Sequence, residues 1–300
     1  MKYPDNNDSD LRIRDFIRQN PTAEKSLIDL ISFPTDQGVI INNGRPGSAL
    51  APELVRARFF NLTPSPVHFE AHTTLLKRVS DQGIVPCEND LASDQALIGS
   101  RVSLSLQNGA IPVIIGGGHE TAYGHFLGYV DAGKPVTIFN IDAHTDVRHL
   151  KGGKPHSGSP FRQAIEHSSG VCRGYHVFGL NPTSVAIEHD EFVREHGSAH
   201  YIDEFDLNCV LETVLGCDTD VMITMDMDAV DQSQAPGVSA PNANGMSTKT
   251  WLKTAFELGK IGKITSFDLC EVNPVYDKDG KTVRLAAMTI WYFLLGVALR

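Results

Sequence analysis

Three short segments concentrate carboxylate and imidazole side chains. They are Asp142-Ala143-His144-Thr145-Asp146, Asp226-Met227-Asp228 and Gly116-Gly117-Gly118-His119-Glu120. In extended backbone alternate side chains share a face, so the ligand-type residues at i, i+2 and i+4 of the first segment can converge on one point. The two carboxylates of the second segment repel each other unless a cation or a proton neutralises them. Metal binding is therefore one interpretation of these segments.

Each segment also has an ordinary structural interpretation. The carboxylates of 142–146 could cap a following helix, 226–228 could be a solvated acidic turn, and His119 could be a structural histidine. The glycines before His119 form no dinucleotide-binding fingerprint, because Thr121 stands where its last glycine is needed. Tyr123 likewise stands where a zinc-protease helix would carry its second histidine.

Together the three segments favour metal binding over these alternatives. Six side chains exceed the needs of one metal ion, whereas four aspartate charges balance two divalent cations. Oxygen-rich ligation with some histidine favours manganese over a sulfur-bound zinc site. Paired metals about 3.5–4 Å apart can activate water as a nucleophile. We therefore expect two manganese ions as cofactors, with these metal ligands: His119, Asp142, His144, Asp146, Asp226 and Asp228.

Short apolar runs lead into these polar segments. Continuous runs of about five apolar residues are typical of strands buried on both faces, as in a parallel sheet. Helix-like segments at 121–129 and 249–259 lie between some of them. The alternation predicts a three-layer α/β/α fold with a mainly parallel sheet, and in such folds sites form at the carboxyl ends of the strands. The predicted strands are 111–115, 136–141, 175–180, 221–225 and 264–269.

Other parts of the chain carry weaker patterns. Apolar residues at helical spacing predict helix over 10–32 with a break near Pro21, and 34–52 is predicted to be a long loop. Two further helices are expected at 51–59 and 91–107. The apolar stretch 286–299 is shorter than the roughly 20 residues of a membrane span, so we expect a buried helix or strand there.

Composition limits the class of protein. The 300 residues include 41% hydrophobic and 21% charged residues, with no repeat or low-complexity linker, and we expect one catalytic domain over 1–300. The net charge of -10 argues against nucleic acid or an anionic membrane as the main partner. The five cysteines form no Cys-x-x-Cys pair, and residues 1–10 have no apolar signal core. These features predict free thiols in the reducing cytoplasm.

The motifs also resemble the ureohydrolase superfamily of arginase, agmatinase and formimidoylglutamase, from about Asp36 to Pro274. Within it the chain is most similar to the formimidoylglutamase family. Agmatinases usually carry an acidic residue where Gly118 stands, and arginases usually have Asn where Arg148 stands. The segments that carry the resemblance are 36–39, 43–47, 116–120, 146–148, 156–163 and 235–241.

The resemblance implies a role for each matching residue. Asp142 and Asp226 would bridge two manganese ions, the first also held by His119 and Asp146 and the second by His144 and Asp228. His156 matches a position where the superfamily often has a proton-shuttling histidine. Glu271 matches the carboxylate that holds the amidine or guanidine nitrogens of the substrate.

The implied reaction is hydrolysis of N-formimidoyl-L-glutamate to L-glutamate and formamide in histidine degradation. Its two carboxylates call for fixed cations, and Arg148 and Arg162 stand in the loops beside the ligands, although a salt bridge or packing within the loop is the alternative for each. A guanidine-specific ureohydrolase, acting on agmatine or guanidinobutyrate, and a non-catalytic ureohydrolase-like binding protein remain alternatives.

Two departures from the family pattern are visible, Gln232 in place of Pro and Cys270 in place of a small apolar residue. Neither replaces a ligand. The implied partner is a small-molecule substrate, and the superfamily commonly forms oligomers, which is compatible with a homo-oligomer.

Overall fold

A computed structural model describes residues 10–17, 25–88 and 90–300. Eight strands form one sheet in the order β2-β1-β3-β8-β7-β4-β5-β6, and every neighbouring pair is parallel. The strands are β1 Ile28–Phe33, β2 Val79–Ile84, β3 Ile111–Gly116, β4 Val136–Ile141, β5 Cys172–Leu180, β6 Gly197–Tyr201, β7 Asp220–Asp226 and β8 Ile264–Cys270.

Helices cover both faces of the sheet. Because all strands are parallel, each connection must cross back over a face, and most of the crossovers are helical. The α-helices are α1 Gln37–Ile41, α2 Ala51–Phe60, α3 Phe69–Leu76, α4 Leu91–Gln107, α5 Thr121–Ala132, α6 Pro160–Ile165, α7 Ile187–His196, α8 Leu207–Gly216, α9 Thr248–Gly259 and α10 Lys281–Ala298.

Two apolar clusters fill the spaces between the layers. Alternate strand residues contribute to opposite clusters, so that Val113 and Ile115 pack toward α2, α9 and α10, while Ile114 packs toward α4 and α5. The five central predicted strands agree with the structure to within three residues at each end. The three-layer α/β/α prediction is confirmed.

The helix predicted over 10–32 is wrong for the described residues 10–17 and 25–32. Residues Ile13–Asp15 form one 3₁₀ turn, and the apolar run that includes Leu30 and Ile31 forms strand β1, buried on both faces. A continuous apolar run satisfies helical and strand patterns alike, which explains the error. The part at 18–24, with Pro21, lies outside the described residues. The predicted loop 34–52 contains α1 and a 3₁₀ turn at Ser48–Leu50, and α2 begins at its end.

The apolar stretch near the C-terminus belongs to a longer helix. Among the described residues the segment Lys278–Ala298 has the length and composition of a membrane span, with a mean hydropathy of 1.2 in its best window. However, 61% of that window is buried inside the protein, where α10 packs against α9 and α2. The interpretation as a buried helix is confirmed.

Candidate active site

Six predicted ligands converge at the carboxyl ends of three strands. β3 leads into His119, β4 into Asp142, His144 and Asp146, and β7 ends at Asp226 just before Asp228. β8 lies beside both β3 and β7, and β7 beside β4, so the strand ends are neighbours at one edge of the sheet. The parallel topology therefore assembles the site from three segments that are distributed over residues 119–228.

The first ligand group surrounds His119. Its Nδ1 lies 3.2 Å from Asp142 Oδ2, 3.0 Å from Asp146 Oδ2 and 3.0 Å from Asp226 Oδ2. These four side chains each offer a ligand atom within 4.8 Å of the others. Asp146 reaches the group from a backbone with φ of 45°, a left-handed conformation that non-glycine residues seldom adopt and that functional sites often contain.

The second group shares Asp142 with the first. His144 Nδ1 lies 3.5 Å from Asp142 Oδ1 and 3.2 Å from Asp228 Oδ2. Backbone N–H groups orient the carboxylates, because His144 N donates to Asp142 Oδ1 and Asp228 N to Asp226 Oδ1, both at 2.8 Å. Asp142 thus has one oxygen in each group. Asp226 belongs to the first group only, and its bridging role stays a prediction.

Charge is poorly balanced in this buried space. Burial raises the pKa of Asp226 well above its ordinary value, and the charges of Asp228 and Asp142 raise it further. Burial alone would lower the pKa of His119, but its contacts with the three carboxylates outweigh burial and raise the pKa well above the ordinary value. Both shifts favour the protonated forms: burial and neighbouring carboxylates hold a proton on Asp226, and the carboxylate contacts hold one on His119 against the effect of burial.

The donor set fits two divalent cations. His119 Nδ1 has three carboxylate oxygens around it but no aligned hydrogen bond among the described residues, and Asp228 Oδ1 also lacks one. Buried polar atoms in native proteins rarely remain unpaired, so atoms of this kind indicate a missing partner. Oxygen and imidazole donors with no thiolate suit manganese. Asn140 Nδ2 supports the first group by donating to Asp142 Oδ2 at 2.9 Å.

A cavity of about 190 Å³ opens onto both ligand groups. His144, Asp146, Asp226 and Asp228 form part of its wall. The other lining residues come from separate parts of the chain: Val39, Asn42, Gly44, Arg148, Ser157, Ser239, Ala240 and Glu271.

Glu271 faces this cavity from the end of β8. Its Oε1 accepts the backbone N–H of His119 at 2.8 Å, while Oε2 has no hydrogen-bond partner in the described chain. Burial raises the pKa of Glu271 to about 7, opposed by the nearby Ser239 hydroxyl and assisted by the charge of Asp228. Its backbone φ of 66° is left-handed. Glu271 is therefore a cavity-lining residue with one unpaired acceptor.

The structure separates the two predicted arginines. Arg148 lines the cavity, but Arg162 does not. Arg162 Nε donates to the Val147 carbonyl at 2.6 Å, its guanidinium lies 3.9 Å from the ring centre of Phe192, and Nη1 pairs with Glu166 at 3.1 Å. These contacts correspond to the salt-bridge and packing alternative for Arg162, and its role in substrate binding stays a prediction.

His156 is also fully engaged in its own loop. Its Nδ1 accepts the Gly158 N–H at 3.1 Å, and its Nε2 donates to the His149 carbonyl at 3.0 Å. The side chain is buried and does not line the cavity. In this conformation His156 has no free nitrogen for a proton shuttle, and it orders the loop that carries Ser157.

Sequence reasoning missed several wall residues. Asn42, Ser157 and Ser239 present polar groups to the cavity, and Asn42 Nδ2 donates to Ser157 Oγ at 3.2 Å. Ser157 and Ser239 lie in segments that carry the resemblance, and Asn42 lies between two of them, but none of the three was predicted to line the site. No residue-type pattern distinguishes a cavity-lining Asn or Ser from an ordinary loop residue, because the distinction depends on tertiary contact.

A profile described as the arginase family matches residues 27–296. The chain belongs to the arginase family. The formimidoylglutamase of Geobacillus sp. (strain WCH70) is 36% identical over 282 residues, covering 90% of this chain and 84% of that relative. The formimidoylglutamase of Rhodococcus jostii (strain RHA1) is 34% identical over 287 residues, covering 89% of this chain and 85% of that relative.

Solved structures of this family superpose over nearly the whole chain. The crystal structure of Trypanosoma cruzi formiminoglutamase with Mn²⁺ matches with a TM-score of 0.88 at 26% identity, covering 97% of this chain and 100% of that chain. The arginase of Bacillus subtilis matches with a TM-score of 0.75 at 23% identity, covering 90% of this chain and 98% of that chain, and supports the fold alone.

Proposed function

We propose that this protein is a manganese-dependent formimidoylglutamase, which hydrolyses N-formimidoyl-L-glutamate to L-glutamate and formamide. The observation that carries the proposal is one small cavity that combines two metal-ligand groups, the free acceptor of Glu271 and the guanidinium of Arg148. The relatives named formimidoylglutamase support the choice of substrate within the family.

The metal ligands would hold two cations. His119, Asp142, Asp146 and Asp226 would hold one, while Asp142, His144 and Asp228 would hold the other. When bound, a cation pair supplies activation of water for attack on the formimidoyl carbon. The bond from that carbon to the glutamate nitrogen then breaks, and this nitrogen takes up a proton as the amine of the product.

Glu271 is suited to orient the head of the substrate. An amidinium group offers two N–H donors on one side, and Glu271, which lines the cavity, has an unpaired acceptor in Oε2. A charge-assisted hydrogen bond of this kind is shorter and stronger than a neutral one. Because Oε1 is held by the His119 N–H, the carboxylate has little rotational freedom. Glu271 thus fixes the amidine relative to the ligand groups.

Arg148 is suited to the other end of the substrate. A guanidinium can pair with a carboxylate through two parallel hydrogen bonds. Arg148 N donates to the Gly158 carbonyl at 2.8 Å, which holds its loop against the segment that carries Ser157. The amide of Asn42 and the hydroxyl of Ser157 lie on the same wall and add hydrogen-bonding capacity for a dicarboxylate tail.

A substrate panel tests this function. The manganese-loaded enzyme would be assayed on N-formimidoyl-L-glutamate, agmatine, 4-guanidinobutyrate and L-arginine, with separate detection of formamide and urea. We expect formimidoylglutamate to have the highest kcat/KM. A higher value for agmatine or guanidinobutyrate would instead identify a guanidine-specific ureohydrolase, and bound manganese without turnover of any substrate would favour a binding protein.

Substitution of Arg148 tests the recognition of the carboxylates. Arg148→Ala should lower kcat/KM on formimidoylglutamate by about 30- to 1000-fold, equivalent to about 2–4 kcal/mol for one lost charged contact. Arg148→Lys should recover part of this loss, because it restores the charge without the planar fork. Arg173→Ala, which removes an exposed arginine on β5, is the matched control. Full activity of Arg148→Ala would contradict the proposed recognition.

The same proposal covers the domain organisation, the cellular compartment and the pathway of the enzyme. We propose one catalytic domain over 1–300 that acts in the cytoplasm in histidine degradation, and a homo-oligomer is compatible with this proposal. The five free cysteines support a reducing compartment.

A further inference from the structure

A chain of buried polar side chains extends from His119 away from the cavity. His119 Nε2 lies 2.9 Å from Thr224 Oγ1. Thr224 Oγ1 donates to Asp268 Oδ1 at 2.6 Å. On its other oxygen, Asp268 Oδ2 lies 2.6 Å from His125 Nδ1. The chain therefore connects the predicted metal ligand to an imidazole on helix α5 through β7 and β8.

All four side chains are shielded from solvent. His119 is 1% exposed, and Thr224, Asp268 and His125 are each 0% exposed. The last three do not line the cavity and cannot contact a substrate there. Burying an ionised carboxylate costs free energy unless its oxygens accept hydrogen bonds, so the contacts from Thr224 and His125 are needed to stabilise the carboxylate of Asp268.

The ionised carboxylate of Asp268 sets the direction of each hydrogen bond in this chain of side chains. An ionised carboxylate only accepts, so it requires His125 Nδ1 to carry a proton and Thr224 Oγ1 to donate. Once the hydroxyl hydrogen of Thr224 points to Asp268, its oxygen can only accept from His119. Nε2 of His119 must then carry the proton, and this leaves the lone pair of Nδ1 toward Asp142, Asp146 and Asp226.

We propose that His125 and Asp268 are positioning residues that set the tautomer of His119. They act through Thr224 and present His119 Nδ1, unprotonated, to the first ligand group. The inference rests on the proposed metal site, and it concerns residues that the predicted ligand set did not include. Metal-bound histidines generally need such a partner on the second ring nitrogen, and its loss typically weakens metal binding.

Substitution of His125 gives the main test. His125→Phe fills the space but removes the N–H donor, whereas His125→Asn keeps an N–H near the position of Nδ1. After chelation and dialysis, each protein would be titrated with Mn²⁺, and the paired-ion signature would be followed by electron paramagnetic resonance. We expect His125→Phe to weaken the first site by about 10- to 100-fold. His125→Asn should restore binding to within a few-fold of the wild type.

His72→Phe is the matched control. Like His125, His72 is 0% exposed and has a ring Nε2 without a hydrogen-bond partner among the described residues, but it packs on Trp291 away from the site. It should change thermal stability without changing Mn²⁺ affinity. If His125→Phe changed only thermal stability in the same way, the positioning role would be overturned.

Thr224 provides a second test that does not depend on the folding of the His125 variant. Thr224→Val removes the hydroxyl at nearly constant shape, and Thr224→Ser retains it. We expect Thr224→Val, but not Thr224→Ser, to weaken the same manganese site. Adding His125→Phe to Thr224→Val should cause little further loss, because both act through one chain. Unchanged manganese affinity in Thr224→Val, or fully additive losses in the double variant, would overturn the inference.

The wild type distinguishes this inference from the proposed function. A wild-type protein that binds no manganese contradicts the proposed metal site itself. A wild type that binds two ions, with variants that bind them equally well, contradicts only the role of His125 and Asp268.

Discussion

The two faces of strand β8 bury very different side chains. One face presents Ser266 and Asp268 to α5, where they bond to Tyr129 and His125. The other face presents Phe267 to α10, where its ring stacks on Phe293 with a centroid distance of 4.3 Å. Both faces exclude water equally, since each of these strand residues is 0% exposed.

The difference separates two uses of burial. On the apolar face, side chains complete their contacts within the protein, and burial stabilises the fold directly. On the polar face and at the strand ends, several buried polar atoms have no hydrogen-bond partner among the described residues, including Glu271 Oε2 and Asp228 Oδ1. Such groups cost stability in the empty protein and provide affinity for a ligand. Substitutions in the two regions should therefore change different measurements.

Asp228→Ala should produce the largest effect on activity. It removes a ligand from the second group and relieves the repulsion with Asp226 in the metal-free protein. We expect kcat/KM to fall by at least about a thousandfold, since each cation of a pair contributes several kcal/mol. The melting temperature in chelator should stay level or rise, while the increase on adding manganese should shrink. Calorimetry with and without manganese measures both, and an equal drop in the two conditions would indicate a structural role.

Phe293→Ala should show the opposite pattern. Loss of a fully buried aromatic side chain typically costs about 3–5 kcal/mol, because a cavity remains. Denaturant unfolding should report that loss in the free energy of unfolding. Manganese stoichiometry and the kcat/KM of the folded fraction should remain close to the wild type. A selective loss of manganese would show that the apolar face is coupled to the site.

His72 should make the apolar region sensitive to acid. Burial lowers its pKa from 6.5 to about 4, so the folded protein keeps His72 neutral while the unfolded chain takes up a proton. Above pH 6.5 the residue has no effect on stability, and between pH 6.5 and 4 it destabilises the folded state by up to about 3 kcal/mol. Subtracting the pH dependence of His72→Phe from that of the wild type isolates this contribution. Parallel curves would show that His72 titrates normally.

Arg162→Ala should have the smallest effect on catalysis and thereby define the edge of the site. The Val147 carbonyl would lose its donor, at a cost of about 1–3 kcal/mol in unfolding free energy. Activity on formimidoylglutamate should stay within about threefold, in contrast to Arg148→Ala. A selective rise in KM for the dicarboxylate would return Arg162 to the substrate site.

Much of the site could be predicted from local pattern. Apolar runs that end in Asp142 and Asp226 are readable because a buried strand and the polar turn after it are neighbours in sequence. Parallel topology then places all such strand ends at one edge, which is why His119 joins them. The same local reasoning failed for Leu30 and Ile31, where the apolar run matched both a helix and a strand.

The ligand types, the central strands and the layer architecture could be predicted from the sequence, because they depend on residue type and short spacing. Tertiary contacts place Arg148 but not Arg162 on the cavity wall, engage both nitrogens of His156, and bring His125 to Asp268, 143 residues away. The segment that carries Val39 and Asn42 is likewise attached to the site by a long-range contact, since the Gly38 N–H donates to Glu120 across 82 residues. Each of these outcomes depends on which distant group lies within hydrogen-bonding distance in the folded protein, and packing rather than local sequence sets that distance.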